Sequence, residues 1–285
     1  MGTVDFEIVE NNFIKKYADT YDLSILVGMD RFSFLVSDPQ QNILLLRSYP
    51  FAPEIKDLGE LSNPLKDIYI NDELLKQTYR TVRIGILNQK NTLIPSDLFV
   101  ADQKEVYLKN IVPNLKGNTI YFDALKPMGM VNVYAFDTHF VNQLHGYFPN
   151  AKIHHAAASL ILGHRKIAEN RTGRQICLNV RQGLLQISLF DNKELLFYNT
   201  FIYESSQDFI YYVMLAFDQF QLKPEGNTVH ISGQIIQDSE IYHLLFRYIR
   251  HLEMMPVPDY YKLGIKGNKM HDYQYFDLFS LKLCE

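Results

Sequence analysis

Residues 174–234 decide the fold, and they read RQICLNV, RQG, LLQISLF, DNK and ELLFYNTFIY, then a helix-like segment, then TVHISGQ. Apolar side chains alternate with polar ones along the first three runs, at Ile176, Leu178, Val180, Leu185, Ile187, Leu189, Leu196, Tyr198 and Phe201. A period of two residues is typical of half-buried strands. Because only the short turns 181–183 and 191–193 separate the runs, we predict an antiparallel meander of three strands.

A helix and a further strand follow the meander. Ser205 or Ser206 is placed to cap the helix, with Asp208 in its first turn, and Phe209, Val213 and Phe217 share one face. The strand at 228–232 needs a crossover to lie parallel to the meander, and this helix supplies it. The predicted unit is therefore β-β-β-α-β.

The first half of the chain repeats this pattern about 150 residues earlier. LSILVGM (23–29), FSFLVSD (32–38) and NILLLRSY (42–49) predict a second meander, and TVRIGIL (81–87) predicts the returning parallel strand. The fold class is thus α/β, with duplicated β-β-β-α-β-α units in mixed sheets. The polar run ENRTGR (169–174) is the predicted boundary between a first domain, 1–172, and a second, 173–285.

The sequence also predicts the local structure of three further segments. Residues 91–99 are predicted to form a loop with one short turn, and Asp238 is predicted to begin a helix that reaches Leu252. The aromatic, partly alternating run 273–283 is predicted to add a final strand.

Composition narrows the class of protein. The chain has 285 residues, 47% of them hydrophobic and 21% charged, with a formal net charge of −4. These values predict a folded protein, and they give no electrostatic reason to expect nucleic-acid binding. No run approaches the ~18 apolar residues of a membrane span, so we expect no membrane insertion. Two cysteines are too few for a disulfide framework, which favours a reducing cytoplasm.

A meander, a crossover helix and a parallel strand, used twice, resemble the actin-like ATPase (ribonuclease H-like) fold of sugar kinases and chaperone ATPase domains. The order VNVYAF (131–136), HFVNQLHGYFP (139–149), KIHH (152–155) and AAASLILGHRKIAE (156–169) is similar to that of PilM and GspL type assembly proteins. The whole chain also resembles an uncharacterised bacterial family assigned to this fold.

The resemblance implies a nucleotide site whose key residues have changed. In catalytic members each meander begins with an Asp-x-Gly hairpin, whose backbone approaches phosphates while the carboxylate orients magnesium or water. This chain keeps Gly28 in the first hairpin but has Leu26 at the Asp position. The second hairpin has Asn179 at the Asp position and Arg181 at the following Gly. A later Gly-Gly turn is reduced to Gly233 followed by Gln234.

Two interpretations of these loops remain open. In the first, Arg181 replaces the metal as a phosphate partner, Asp30 or Asn179 assists, and Gly233 makes room for a base. In the second, the glycines serve only the turns, Asp30 and Arg31 are solvated, and Arg181 lies at an exposed strand end. The candidate nucleotide-cleft residues are Gly28, Asp30, Arg31, Asn179, Arg181, Gly183, Gly233 and Gln234.

The missing carboxylates favour a protein without catalytic activity, acting as a cytoplasmic binding or scaffold protein. We expect no cofactor and no metal ion, an unknown protein partner, and an open sheet edge that permits a homodimer. The alternative is a divergent ATP-binding protein, or a weak ATPase or phosphotransferase, and only this alternative requires ATP and magnesium.

Overall fold

The structure is a computed structural model that describes residues 4–52, 55, 57–266 and 271–284. Contacts divide the chain into two packed units. The first is drawn from Met1–Ser159, Asp259–Met270 and Leu281–Glu285, and the second from Leu160–Pro258 and His271–Ser280. The boundary expected between residues 172 and 173 stays a prediction.

The described residues up to Glu169 contain nine strands and four α-helices. In chain order they are β1 (Phe6–Val9), β2 (Asp22–Val27), β3 (Arg31–Ser37), β4 (Ile43–Pro50), α1 (Ser62–Asn71), β5 (Thr81–Ile86), β6 (Asn91–Pro95), α2 (Lys104–Lys109), β7 (Asn118–Leu125), β8 (Met130–Asp137), α3 (Thr138–Tyr147), β9 (Lys152–His155) and α4 (Ala156–Glu169). The larger sheet has the order β1-β4-β3-β2-β5-β9, and β6-β8-β7 form a separate antiparallel sheet.

The second half follows the same plan with fewer additions. Its elements are β10 (Arg174–Arg181), β11 (Leu184–Asp191), β12 (Glu194–Ile202), α5 (Ser206–Gln219), β13 (Thr228–Gly233), α6 (Glu240–Tyr248), β14 (His251–Met254) and α7 (Phe276–Ser280). The sheet order is β12-β11-β10-β13-β14. In both halves the meander is antiparallel, and the next strand pairs in parallel with the first meander strand. The predicted fold class is confirmed.

The alternation of the meander determines its core. The inward residues Leu178, Ile187 and Val229 are fully buried, and α5 covers them with Phe209 and Val213. The side chain of Ser205 accepts a hydrogen bond from Asp208 N, and the Asp208 carboxylate accepts one from Ser205 N. Ser205 is thus the cap, and this reciprocal arrangement stabilises the first turn of the crossover helix.

Three local predictions were wrong. Residues 91–95 form β6 rather than a loop, with Pro95 at its end. The predicted helix from Asp238 is shorter, since Ser239 caps it and it ends at Tyr248, and His251–Met254 then pair in parallel with β13.

The third error concerns the tail, where the predicted strand 273–283 is a series of helical turns. Asp272–Tyr275 and Leu281–Leu283 are 3-10 turns on either side of α7. Every residue of α7 is buried. Consecutive residues of a helical turn point to different sides of its axis, which agrees with the burial of all five residues of α7. Within the described residues, no helix has both the length and the apolar character needed to cross a membrane.

Candidate functional site

The first hairpin loop lies between β2 and β3, and the carboxylate of Asp30 folds back against Gly28 within it. The N–H of Gly28 donates a hydrogen bond to the carbonyl of Arg31, at 2.9 Å. Asp30 folds back so that its Oδ1 would be 2.5 Å from a Cβ placed on Gly28. The Asp30 side chain is only 7% exposed, so it is not the solvated turn residue of the second interpretation.

Arg31 is likewise held by protein groups. Its Nη1 donates to Asp5 Oδ2 at 3.3 Å and to Ser48 Oγ at 3.0 Å, and its Nε lies 3.6 Å from Asp30 Oδ2. Leu26, at the position of the missing carboxylate, is 1% exposed and has no atom that binds a cation. The Asp30 carboxylate therefore lies in the loop where the resemblance implies a phosphate, with the Arg31 guanidinium beside it.

A buried ion pair occupies the second hairpin. Nε of Arg181 donates to Asp277 Oδ2 at 2.9 Å, and Nη2 of Arg181 donates to the same oxygen. Both side chains are 3% exposed. Arg181 was expected either to bind phosphate or to lie at an exposed strand end, and the second placement is wrong. Its guanidinium is committed to a carboxylate from α7.

Asn179 belongs to the same polar cluster. Its Nδ2 donates to Gln186 Oε1 at 2.9 Å and lies 3.3 Å from Asp277 Oδ2. Its Oδ1 accepts from Ser232 Oγ at 3.0 Å. The amide therefore uses its oxygen and its nitrogen inside the protein. We name Asn179, Arg181, Gln186, Ser232 and Asp277 the β10 polar cluster; all five are buried.

The other three candidate residues near β10 take part in a turn or in contacts with the backbone. They are Gly183, Gly233 and Gln234. Gly183 has φ +70° in the two-residue turn between β10 and β11. Gly233 has φ +93°, and a Cβ there would be 2.1 Å from the carbonyl oxygen of Val180. Glycine is required because the backbones approach so closely. Gln234 donates from its N–H to Val180 O and from Nε2 to Gln274 O, at 2.6 and 3.0 Å.

Sequence reasoning missed Asp277, which completes the cluster. This residue lies in the apolar run YFDLFSL, where a single acid flanked by buried positions signals a charge that needs a partner. Because this run was predicted to be a strand, the need of Asp277 for a partner was not recognised. The structure thus brings Asn179, Arg181 and Gly233 together around β10, and separately Gly28, Asp30 and Arg31 around the first loop.

At the two positions where the resemblance implies a carboxylate for magnesium, Leu26 is apolar and Asn179 already uses both polar atoms of its side chain in hydrogen bonds. Across the described ranges 4–52, 55, 57–266 and 271–284, no three His, Cys, Asp or Glu side chains are placed to hold a metal ion.

Three buried histidines lie outside both loops. Nε2 of His155 contacts Asn88, Nδ1 of His164 lies 2.6 Å from Ser188 Oγ, and Nε2 of His230 lies 2.9 Å from Gln175 Oε1. Burial disfavours the charged ring. It lowers the pKa of His155 and His230 to about 4 and the pKa of His164 to about 3. All three are neutral near pH 7.

A family profile described as "Protein of unknown function (DUF3822)" matches residues 10–252. The chain belongs to the DUF3822 family. A comparison of the DUF3822 chain with curated proteins gave no match.

Solved structures similar to the DUF3822 chain share its fold. A Bacteroides thetaiotaomicron protein with an actin-like ATPase fold and unknown function is 22% identical. It has a TM-score of 0.81, and the match covers 96% of this chain and 99% of that one. The PilM-PilN type IV pilus biogenesis complex matches at 14% identity and a TM-score of 0.64, over 92% and 97% of the two chains. The ethanolamine utilization protein EutJ from Carboxydothermus hydrogenoformans matches at 6% and 0.50, over 93% and 90%.

These matches confirm the actin-like ATPase fold of the DUF3822 chain and its predicted resemblance to an uncharacterised family and to PilM.

Proposed function

We propose that this protein is a non-catalytic member of the actin-like fold that acts by binding another protein in the cytoplasm. The observation that carries the proposal is the buried pair of Arg181 and Asp277. To bind a phosphate, as the first interpretation supposes, the Arg181 guanidinium would have to leave Asp277, to which its Nε donates at 2.9 Å. Freeing it would leave Asp277 buried without a counter-charge, which costs about 3–5 kcal/mol in comparable pairs.

The first loop supports the same proposal independently. Asp30 lies against Gly28, at the place where the resemblance implies a phosphate. A phosphate would have to displace this carboxylate from the space beside Gly28, and the apolar side chain of Leu26 offers no ligand for a magnesium ion. In each hairpin an acidic side chain thus occupies the candidate site, because Asp30 lies beside Gly28 and Asp277 pairs with Arg181.

A binding role has a precedent in the fold, since PilM forms a complex with PilN in one of the similar structures. The cytoplasmic location is part of the proposal. It is supported by Cys177 and Cys284, which are both buried free thiols. The open edges β12 and β14 of the second sheet permit a homodimer, which stays a prediction.

Calorimetric titration of the full chain with ATP and magnesium tests the proposal. We expect no heat of binding and no thermal shift, and a catalytically active actin-like ATPase in the same buffer serves as the positive control. Saturable binding at micromolar ATP would refute the proposal in favour of a divergent ATP-binding protein.

If ATP binds, the variant Arg181→Ala identifies the loop responsible, provided that circular dichroism shows it to be folded. Loss of ATP binding in this variant would place a phosphate on the guanidinium. If this variant still binds ATP, the first loop becomes the candidate phosphate site, and Arg31→Ala is the variant that tests it.

A further inference from the structure

The outward side of α6 carries exposed aromatic side chains beside a groove. Leu245 and Ile249 anchor the helix to the core, whereas Phe246 is 65% exposed and Tyr248 is 49% exposed. A groove of about 370 Å³ runs along this side. We name it the α6 groove, and its main lining residues are Pro224, Glu225, Phe246, Arg247, Tyr248 and Arg250.

The wall opposite the helix is fixed by hydrogen bonds. The N–H of Arg250 donates to Pro224 O at 3.0 Å. Asn227 Oδ1 accepts from Lys223 N at 2.8 Å and closes the turn that contains Pro224. Because these bonds order the wall in advance, a ligand that enters the groove has little backbone entropy to remove.

The α6 groove carries more positive than negative charge. Arg247 and Arg250 are exposed, and neither guanidinium has a hydrogen bond or an ion pair with any residue that the structure describes. By contrast, Arg171 in the same unit pairs with Glu253 at 2.7 Å. Glu225 is the one acidic residue among the lining residues named above. The negative end of α6 favours Arg247 in its last turn, but Arg250 follows the helix end.

We propose that the α6 groove binds a short acidic segment of a partner protein that carries one large apolar side chain. The carboxylates would pair with Arg247 and Arg250, and the apolar side chain would cover Phe246. A groove of about 370 Å³ suits a few side chains of an extended segment rather than a folded domain. This inference rests on the proposed function as a binding protein, and it names the surface and the chemistry of the partner.

Selection of random peptides displayed on phage against the immobilised full chain tests the proposal. We expect the enriched peptides to combine several acidic residues with one Phe, Leu or Ile. A labelled synthetic peptide from that set is then titrated by fluorescence anisotropy. Arg247→Glu and Phe246→Ala should each weaken its binding by about tenfold or more, and added salt should weaken it further.

Two control variants match these changes elsewhere in the same unit. Lys193→Glu makes the same change of charge on an exposed turn, and Tyr211→Ala removes an aromatic side chain that is 61% exposed on α5. Neither should alter the affinity. All four positions are exposed, so circular dichroism should show native folding in every variant.

The proposal is overturned by a lack of enrichment, by enriched peptides without acidic residues, or by equal losses in the controls and the groove variants. Peptides that bind but are insensitive to Arg247→Glu would overturn the groove alone and leave the binding function intact. The ATP titration fails or succeeds separately, so the two ideas are distinguishable.

Discussion

Removing one partner of the buried ion pair in the β10 polar cluster should destabilise the protein strongly. Arg181 and Asp277 are each 3% exposed, so a lone charge left by a substitution has almost no access to water. At this separation the attraction is about 6 kcal/mol at an effective dielectric constant of about 20, and desolvation offsets most of it. Asp277→Leu should therefore cost about 3–5 kcal/mol, and Asp277→Asn, which keeps an acceptor, should fall near the lower end.

The double variant Arg181→Met with Asp277→Leu makes the reasoning testable. It removes both charges and replaces them with apolar groups, so its stability should return to within about 1 kcal/mol of the wild type or exceed it. The assay is equilibrium unfolding in urea followed by circular dichroism, since the chain has no tryptophan. A cost below about 1 kcal/mol for Asp277→Leu, or additive effects in the double variant, would refute a desolvated, coupled pair.

Two other predictions use the same unfolding assay. Gly233→Ala should lower the free energy of unfolding more than Gly173→Ala does. Both glycines have positive φ (+93° and +75°), but only Gly233 has backbone atoms within 4 Å of the added Cβ. Equal losses of stability in the two variants would contradict this steric argument. His155, His164 and His230 have folded pKa values of about 3–4, below the unfolded value of about 6.5. Their contribution to stability is complete above pH 6.5 and falls by up to about 1.4 kcal/mol per histidine per pH unit as the pH drops toward 4.

The variant His164→Asn isolates one of the three histidines. Between pH 6.5 and 4.5, the slope of the unfolding free energy against pH should decrease in this variant by up to about 1.4 kcal/mol per pH unit, the value for one bound proton. An unchanged slope would mean that His164 titrates normally in the folded protein.

The repeated meander was predictable because its information is local. Residues such as Ile176, Leu178 and Val180 alternate within one strand, and short turns leave few ways to join the strands. The parallel placement of β13 followed from the helix before it, since a strand that returns through a helical crossover can pair in parallel with the first meander strand. By contrast, β6 has only five residues and ends in Pro95, so its pairing with β8 depends on a neighbour about 40 residues away.

The candidate site was predictable only in part. The sequence alone shows that Leu26 and Asn179 stand where the resemblance implies a carboxylate, since this needs only a comparison of residue types. The closure of the loops is not visible, because Asp277 lies 96 residues from Arg181 and the intervening sequence gives no sign of their contact. Asp30 is near Gly28 in sequence, but the direction of its side chain depends on packing. The burial of a charged pair is thus a property of tertiary structure.

The position of α7 also orders events during synthesis. Arg181 leaves the ribosome 96 residues before Asp277 does, which at typical elongation rates is a delay of roughly 5–20 seconds. During that interval Arg181 lacks the counter-ion that α7 supplies. The β10 polar cluster is therefore complete only after residue 277 has emerged, although every strand of its sheet precedes that point in the chain.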